Sequence, residues 1–179
     1  MRIISGTRRG HKLAEFDGSD IRPTTDRVRE SLFNLISEYV SGANVLDLFG
    51  GSGALSLESA SRGAEKCTVC DIDQRAIRLI THNTDSLSFG DRVKILNKSA
   101  DSFIAENTDT FDIIFLDPPY NKGIIEPIIE KIVQKQVLSE DGIIVLESDT
   151  TDCRSDFSGL EIIKQRKYGR TYITVYKRR

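Results

Sequence analysis

The stretch that decides the fold is "VLDLFGGSGALSLES" (45–59), in which an apolar run enters a glycine-rich turn that is followed by a segment with helical spacing. A strand, a tight turn and a helix in this order form the first half of a β-α-β unit. Units of this kind build parallel sheets, and their ligands lie at the carboxyl ends of the strands. One stretch therefore predicts both the kind of fold and the place of a candidate site.

The rest of the chain repeats this alternation. Near-continuous apolar runs, typical of strands buried on both faces, occupy 44–49, 67–72, 92–97, 112–117 and 142–147. Segments with helical spacing occupy 54–63, 74–87 and 124–138. The sequence ends differently, because two strand-like runs flank a turn at Tyr168 and Gly169 and predict an antiparallel hairpin. We therefore expect an α/β fold with a doubly wound, mostly parallel sheet and a terminal hairpin.

Two segments precede the first predicted strand. Residues 2–16 predict a small extended or hairpin segment with basic residues at its tip, and residues 22–40 predict one amphipathic helix capped by Thr25 or Asp26. We expect 1–21 to form a basic extension ahead of a main domain at 22–179. The apolar face of the predicted helix consists of Val28, Leu32, Leu35, Ile36 and Tyr39.

The composition excludes several classes of protein. The chain has 179 residues, of which 39% are hydrophobic and 29% charged, and no apolar run is long enough for a membrane span. Its first residues lack the apolar core of a signal peptide, and its three cysteines cannot all pair. We therefore expect a soluble cytoplasmic protein.

A metal site is not expected. Cys67 and Cys70 form a C-x-x-C pair, but they fall in a predicted strand, where positions three apart face opposite sides. The two histidines, His11 and His82, lie far apart in the sequence. No spacing typical of zinc ligands is present.

The charge is unevenly distributed along the sequence. The net charge is −2, yet residues 1–29 carry seven Lys/Arg against four Asp/Glu, and residues 160–179 carry seven against one. One interpretation is that both ends are simply solvated. The other is that the two ends meet on one face and bind a polyanion such as nucleic acid.

The glycine-rich turn selects among nucleotide ligands. The dinucleotide fingerprint needs a third glycine where Ser56 stands, and no lysine of a phosphate-binding loop follows. The strand carries Asp47, whose carboxylate would repel a pyrophosphate and attract a cation. A nucleoside with positive charge fits better, and S-adenosylmethionine is such a molecule.

An acid after the next strand supports this ligand. Asp71 ends the second predicted strand 20 residues after Gly51, where a carboxylate can accept hydrogen bonds from both ribose hydroxyls. Asp73 competes for the role but lies two residues beyond the end of the strand. After the third strand, Ser99 and the backbone of Ala100 are candidate adenine contacts, and a helix-capping role for Ser99 is an equal alternative.

A second unusual stretch is "FDIIFLDPPYNKG" (111–123), in which a strand ends in Asp117, Pro118, Pro119 and Tyr120. Each proline removes an N–H donor, fixes φ and favours an extended residue before it. An acid, stiff carbonyls and an aromatic ring then lie together. This combination indicates a binding site at the end of the fourth strand.

These motifs resemble those of the Rossmann-like, seven-stranded S-adenosylmethionine-dependent methyltransferases. Phe49 stands where the usual D-x-G-x-G-x-G pattern has its first glycine, and D-P-P-Y is typical of enzymes that methylate exocyclic amines of bases. Together, "RPTTDRVRESLFN", "DLFGGSGALSLESASRGA" and "LDPPY" closely resemble the RsmD family of small-subunit (16S) rRNA guanine-N2 methyltransferases.

The resemblance implies roles for particular residues. Asp117 and the Pro118 carbonyl would accept the N–H bonds of the target amine, Pro119 would stiffen the turn, and Tyr120 would stack on an extruded base. The implied S-adenosylmethionine contacts are Asp47, Phe49, Gly51, Gly53, Asp71, Ile72, Ser99, Ala100, Thr25 and Asp117. The implied RNA contacts are Arg8, Arg9, Lys12, Arg22, Arg27 and Arg170.

The implied partner is small-subunit rRNA or the 30S subunit, and we expect a monomer. D-P-P-Y alone also occurs in adenine-N6 and cytosine-N4 DNA methyltransferases, although these usually carry an added recognition domain. A non-catalytic RNA-binding assembly factor and an NAD-dependent oxidoreductase are further alternatives. Ser56 and Asp47 disfavour the oxidoreductase.

Overall fold

The computed structural model describes residues 1–16, 25–118, 123–149, 157 and 159–179. The helices are α1 (Asp26–Leu35), α2 (Ser37–Val40), α3 (Ala54–Ser61), α4 (Gln74–Leu87), α5 (Ala100–Glu106) and α6 (Ile125–Gln134). The strands are β1 (Asn44–Asp47), β2 (Lys66–Asp71), β3 (Val93–Asn97), β4 (Phe111–Leu116), β5 (Leu138–Ser148), β6 (Leu160–Tyr168) and β7 (Thr171–Arg178). Among the described residues, no helix is long and apolar enough to cross a membrane.

The strands form one seven-stranded sheet in the order β3-β2-β1-β4-β5-β7-β6. Strands β1 to β5 pair with one another in parallel, whereas β7 is antiparallel to both β5 and β6. This confirms the predicted doubly wound sheet with a terminal hairpin. The hairpin turn lies one residue later than expected, at Gly169 and Arg170, because Tyr168 pairs with Thr171 and Gly169 takes the left-handed φ of +64°.

Each face of the sheet carries its own apolar cluster. The N-terminal segment and helices α1 to α4 cover one cluster, and α5 and α6 cover the other. Cys67 belongs to the first cluster and Cys70 to the second, so the two thiols face opposite sides as predicted. We call the first cluster's side the α1–α4 face.

The helix expected at 22–40 is interrupted. Residues 17–24, with Arg22, lie outside the described residues, and from Asp26 onward the helix breaks at Ile36, whose φ of −111° and ψ of 15° are not helical. Thr25 caps α1 as predicted, since its hydroxyl accepts a hydrogen bond from Val28 N at 3.3 Å. Ile36 is fully buried at this break, and α2 follows it before β1 begins.

Residues 1–16 form a short hairpin-like segment, here called the strap, that packs on α3. Arg2 and Lys12 form an antiparallel bridge, and Ile3 lies in the apolar core of the α1–α4 face. The backbone N–H groups of Ile4 and Ser5 donate to the buried carboxylate of Glu58, at 2.7 and 3.0 Å.

The strap also contacts α1 through Arg29. Its side chain is fully buried, donates to the Arg2 carbonyl and pairs with Asp26 at 3.0 Å. Arg29 therefore holds the strap against the helices and is not an exposed ligand contact.

Candidate active site

The candidate site lies in a notch at the carboxyl edge of the sheet. β1 ends at Asp47, which pairs in register with Val69 on β2 and Phe115 on β4. Asp71 and Asp117 follow these two partners by two residues each, so a carboxylate stands on either side of the shorter central strand. From β1 the chain crosses to β2 on one side, and from β4 it crosses to β5 on the other side. The boundary between β1 and β4 is therefore a topological switch point, which is where ligands bind in open α/β sheets.

The glycine-rich turn spans this notch. Gly50 N donates to the carbonyl of Cys70 at 2.9 Å, and Gly53 N donates to Gly50 O at 2.7 Å. Gly51 and Gly53 have φ values of +55° and +80°, which residues with a side chain rarely adopt. A Cβ at Gly50 would lie 2.4 Å from Val69 Cγ1, so the turn can approach β2 only with glycine at that position.

Asp71 is fixed beside this turn. Its Oδ2 accepts a hydrogen bond from Gly51 N at 2.9 Å, and its Oδ1 accepts one from Asp73 N at 2.8 Å. Each carboxylate oxygen retains a second lone pair for a ligand hydroxyl. Asp73 instead caps α4, accepting from Arg75 N at 2.8 Å.

Residues that follow β2 and β3 border the same notch. Ile72 is 75% exposed, which is unusual for a large apolar side chain beside a polar turn. Asn97 donates to the carbonyls of Asp71 and Ile72, at 2.9 and 3.1 Å, and so fixes this turn. Ser99 caps α5 by accepting from Ser102 N at 3.1 Å, and Ala100 is the buried first residue of that helix.

Asp47 is a buried carboxyl group that faces α3. It is only 1% exposed, and it accepts hydrogen bonds from Ser56 Oγ at 3.1 Å and Phe49 N at 3.3 Å. Burial raises the pKa of Asp47 to about 7, against the opposing effect of these two hydrogen bonds. A cationic ligand beside Asp47 would favour its ionised form.

Asp117 is half-buried at the end of β4 and is followed by Pro118. Burial raises the pKa of Asp117 well above its ordinary value, and the negative charges of Glu147 and Asp47 raise it further. Pro119 and Tyr120, the other expected members of this motif, lie outside the described residues.

Sequence reasoning missed three residues of this region. Ser56 was considered only as a missing glycine, yet it supports Asp47, and Asn97 holds the turn after Asp71. Glu147 was read only as the last residue of a predicted strand, although a charged residue that ends an apolar run could have been noticed. It is a carboxylate at the carboxyl end of β5, only 5% exposed.

The structure does not bring all the candidate RNA-binding residues together. Arg8 lies where α3 and α4 end, since its backbone N–H donates to Ser61 Oγ at 3.0 Å and its Nε donates to the Leu87 carbonyl at 2.7 Å. Helices that follow parallel strands end at the amino edge of the sheet, so Arg8 and the neighbouring Arg9 lie at the edge opposite the notch.

Three of the other basic candidates, Lys12, Arg27 and Arg170, lie toward the notch, and Arg22 lies outside the described residues. Lys12 pairs with Arg2, which contacts Asp26 at the start of α1, and the exposed Arg27 follows Asp26. Arg170 occupies the β6–β7 turn, at the carboxyl edge, because Tyr172 pairs with Ser148 at the end of β5.

The arrangement suits a nucleoside-like cation better than a metal or a pyrophosphate. Within the described ranges, no group of three or more His, Cys, Asp or Glu side chains is placed to hold a metal ion. Carboxylates at the ends of β1, β2 and β4 give the notch a negative potential, while the turn glycines let a ligand approach the backbone. These residues fit S-adenosylmethionine, which has ribose hydroxyls, a sulfonium and an ammonium group.

Comparison with solved structures agrees with this assignment. "Putative methyltransferase yhhF from Escherichia coli" superposes with a TM-score of 0.90 and 34% identity, covering 99% of this chain and 97% of that one. A methyltransferase described as complexed with SAH, SMU.776, has the same fold at a TM-score of 0.65 and 19% identity, with 84% of this chain and 48% of that one covered. The fold is that of the Rossmann-like S-adenosylmethionine-dependent methyltransferases, and S-adenosylmethionine is the cofactor of that class.

Sequence comparison gives the family. The model of the family described as "Conserved hypothetical protein 95" matches residues 1–177. "Putative rRNA methyltransferase YlbH" of Bacillus subtilis (strain 168) is 37% identical over the whole of both chains. "Ribosomal RNA small subunit methyltransferase D" of Escherichia coli (strain K12) is 38% identical over 149 residues, covering 83% of this chain and 75% of that one. The chain belongs to this family, the RsmD family.

Proposed function

We propose that this protein transfers a methyl group from S-adenosylmethionine to the exocyclic N2 of one guanine in small-subunit (16S) rRNA. Its substrate would be the assembling or assembled 30S subunit in the cytoplasm. The observation that carries the proposal is the position of Asp117, which directly follows β4 on the other side of the notch from Asp71 and precedes Pro118. The names of the relatives supply the expectation that the substrate is rRNA.

The cofactor would lie across the notch, where it supplies a methyl group bonded to positively charged sulfur. Asp71 accepts hydrogen bonds from its ribose hydroxyls, and the exposed Ile72 offers an apolar surface to its adenine. The carboxylate of Asp47, at the end of β1, would stabilise the positive charge of the cofactor. Further candidate contacts are Thr25, Phe49, Ser99 and Ala100. Because the hydroxyl of Ser99 caps α5, the adenine would be contacted by the backbone of this segment and not by that hydroxyl.

The target amine would be held at the end of β4. The lone pair of guanine N2 is delocalised into the ring, so the nitrogen is a poor nucleophile. The Asp117 carboxylate and the Pro118 carbonyl accept its two N–H bonds, which favours a tetrahedral nitrogen and stabilises the charge that develops on it. Attack on the methyl carbon is then a direct displacement with no covalent enzyme intermediate.

The edge of the sheet that carries the notch also carries basic side chains for the RNA. Lys12, Arg27 and Arg170 lie toward this edge, and each can neutralise a phosphate. Arg8 and Arg9 lie at the opposite edge, so their contacts with RNA would have to be remote from the target base. Tyr120 keeps its expected role as the stacking partner of that base.

The test is transfer of labelled methyl to unmodified 30S subunits, with free 16S rRNA and duplex DNA in parallel and products digested to nucleosides. We expect N2-methylguanosine in the RNA. Asp117→Ala should abolish transfer while cofactor binding persists, and Asp109→Ala, an exposed acid at the amino edge, is the matched control. N6-methyladenine in DNA would overturn the target, and absence of label from all substrates would favour a non-catalytic assembly factor.

A further inference from the structure

Glu147 is a buried carboxylate that the proposed reaction has not used. It is only 5% exposed, at the end of an otherwise apolar strand. Removing a carboxylate from water is costly unless other groups compensate it. Its place at the carboxyl end of β5, beside the notch, makes Glu147 a candidate for a role in the reaction.

Strand register places Glu147 beside Asp117. Leu116 on β4 pairs with Leu146 on β5, so Asp117 and Glu147 are the next residues of two parallel, adjacent strands. Strands in a sheet lie about 4.8 Å apart, which brings the two carboxylates close together.

The two side chains also share one face of the sheet. Phe115 and Val145 belong to the core of the α1–α4 face, whereas Leu116 and Leu146 belong to the opposite cluster. Side chains alternate along a strand, so Asp117 and Glu147 both point toward the α1–α4 face. Asp47, which pairs with Phe115, points the same way.

Among the described residues, the charges that act on Asp117 are those of two carboxylates. Glu147 on β5 has the larger influence and Asp47 on β1 the smaller one, and both raise the pKa of Asp117. Asp71 on β2 acts on Asp47. On the helices of this face, the buried Arg29 pairs with Asp26 on its own helix and approaches Glu58 on α3.

The reaction moves positive charge toward this pair. The N2 lone pair forms the new N–C bond, the C–S bond breaks, and its electron pair stays on sulfur, which becomes a neutral thioether. N2 then carries the positive charge and loses one proton, which passes to the Asp117 carboxylate and from there to water. A negative charge beside N2 stabilises the transition state more than the ground state, in which the positive charge is still on sulfur.

We propose that Glu147 is a positioning residue for methyl transfer, acting through Asp117: it supplies the second negative charge toward which the positive charge moves. This inference rests on the proposed function. Because Glu147 does not need to touch the substrate, its effect is separable from that of Asp117.

The experiment compares Glu147→Gln, which removes the charge, with Glu147→Asp, which keeps it. Glu140→Gln is the matched control, because Glu140 lies exposed near the amino end of the same strand. Three quantities are measured: titration of the Asp117 carboxyl by ¹³C NMR in the free protein, the pH profile of single-turnover transfer to 30S subunits, and the Kd for S-adenosylmethionine. The signal lost in Asp117→Asn assigns the Asp117 resonance.

We expect Glu147→Gln to lower the titration midpoint of Asp117 by roughly one pH unit or more, since a repelling charge is removed. The acid limb of the rate profile should move to lower pH by the same amount. The plateau rate should fall roughly 10- to 100-fold, with the Kd for the cofactor changed less than about threefold. Glu147→Asp and Glu140→Gln should keep the midpoint of the wild type.

A midpoint of Asp117 that is the same in Glu147→Gln and the wild type would overturn the inference. So would a loss of rate that is equal at every pH, because that pattern indicates a structural role alone. If the wild type methylates no guanine, the proposed function fails and the catalytic role of Glu147 fails with it. The NMR titration would then still report whether the two carboxylates are coupled.

Discussion

Asp47 gives the sharpest prediction about stability. Burial raises the pKa of Asp47 from 3.8 to about 7, so the folded state binds its proton more tightly than the unfolded state does. The associated stability is fully present below about pH 4 and is lost as the pH rises to about 7. About three pH units at about 1.4 kcal/mol per unit correspond to a loss of about 4 kcal/mol.

The perturbation is Asp47→Asn, which cannot ionise. The free energy of unfolding is measured by urea titration at several pH values between about 5 and 8, without cofactor. We expect the variant to lose less stability than the wild type over this range. Its amide oxygen can still accept from Ser56 or Phe49, but its NH₂ group has to find an acceptor, which lowers stability by about 1–3 kcal/mol at every pH.

The test is therefore the difference in free energy of unfolding between Asp47→Asn and the wild type at each pH. It should change by a few kcal/mol between about pH 5 and pH 8, in favour of the variant at high pH. Asp109→Asn, at an exposed carboxylate, should run parallel to the wild type. If the Asp47→Asn profile is also parallel to that of the wild type, Asp47 is ionised at all these pH values and the argument from burial is wrong.

Three further substitutions test the site. Asp71→Ala should weaken S-adenosylmethionine binding at least roughly 10-fold by calorimetry, while saturating cofactor restores most of the transfer rate; a normal Kd would exclude it as the ribose ligand. Gly50→Ala should lower the free energy of unfolding in urea by about 1–3 kcal/mol, because the new Cβ would lie 2.4 Å from Val69 Cγ1, and an unchanged midpoint would contradict the close packing of the turn. Arg170→Ala should raise the KM for 30S subunits several-fold and reduce its salt dependence, whereas Arg9→Ala should do so less; equal effects would contradict the separation of the two edges.

The sheet was predictable because its signals are local and repeated. Continuous apolar runs mark strands covered on both faces, and the bounds of α4 match the predicted segment 74–87. The position of Asp71 beside the glycine-rich turn was also predictable, because it depends only on the end of one strand and the distance from one turn. Such features are encoded within about 30 residues of sequence.

Features that depend on packing were not predictable in this way. α5 has only seven residues, too few for a clear helical period. α1 ends at Leu35, earlier than predicted, since the next residue, Ile36, is buried in the core with a non-helical backbone. The proximity of Glu147 to Asp117, which lies 30 positions earlier, follows only from the register of β4 and β5. The position of Arg8 depends on the strap packing against the ends of α3 and α4, which no local pattern shows.

The strap also has a consequence for the order of folding. Its hydrogen bonds join Arg8 to Leu87 and Ala14 to Asn83, separations of 79 and 69 residues. During synthesis, the strap leaves the ribosome before α4 does, so it can form these contacts only after α4 has emerged. Contacts so distant in sequence carry a large entropic cost of loop closure and form late. The strap, although synthesised before the strands of the sheet, thus completes its contacts only after α4 has formed.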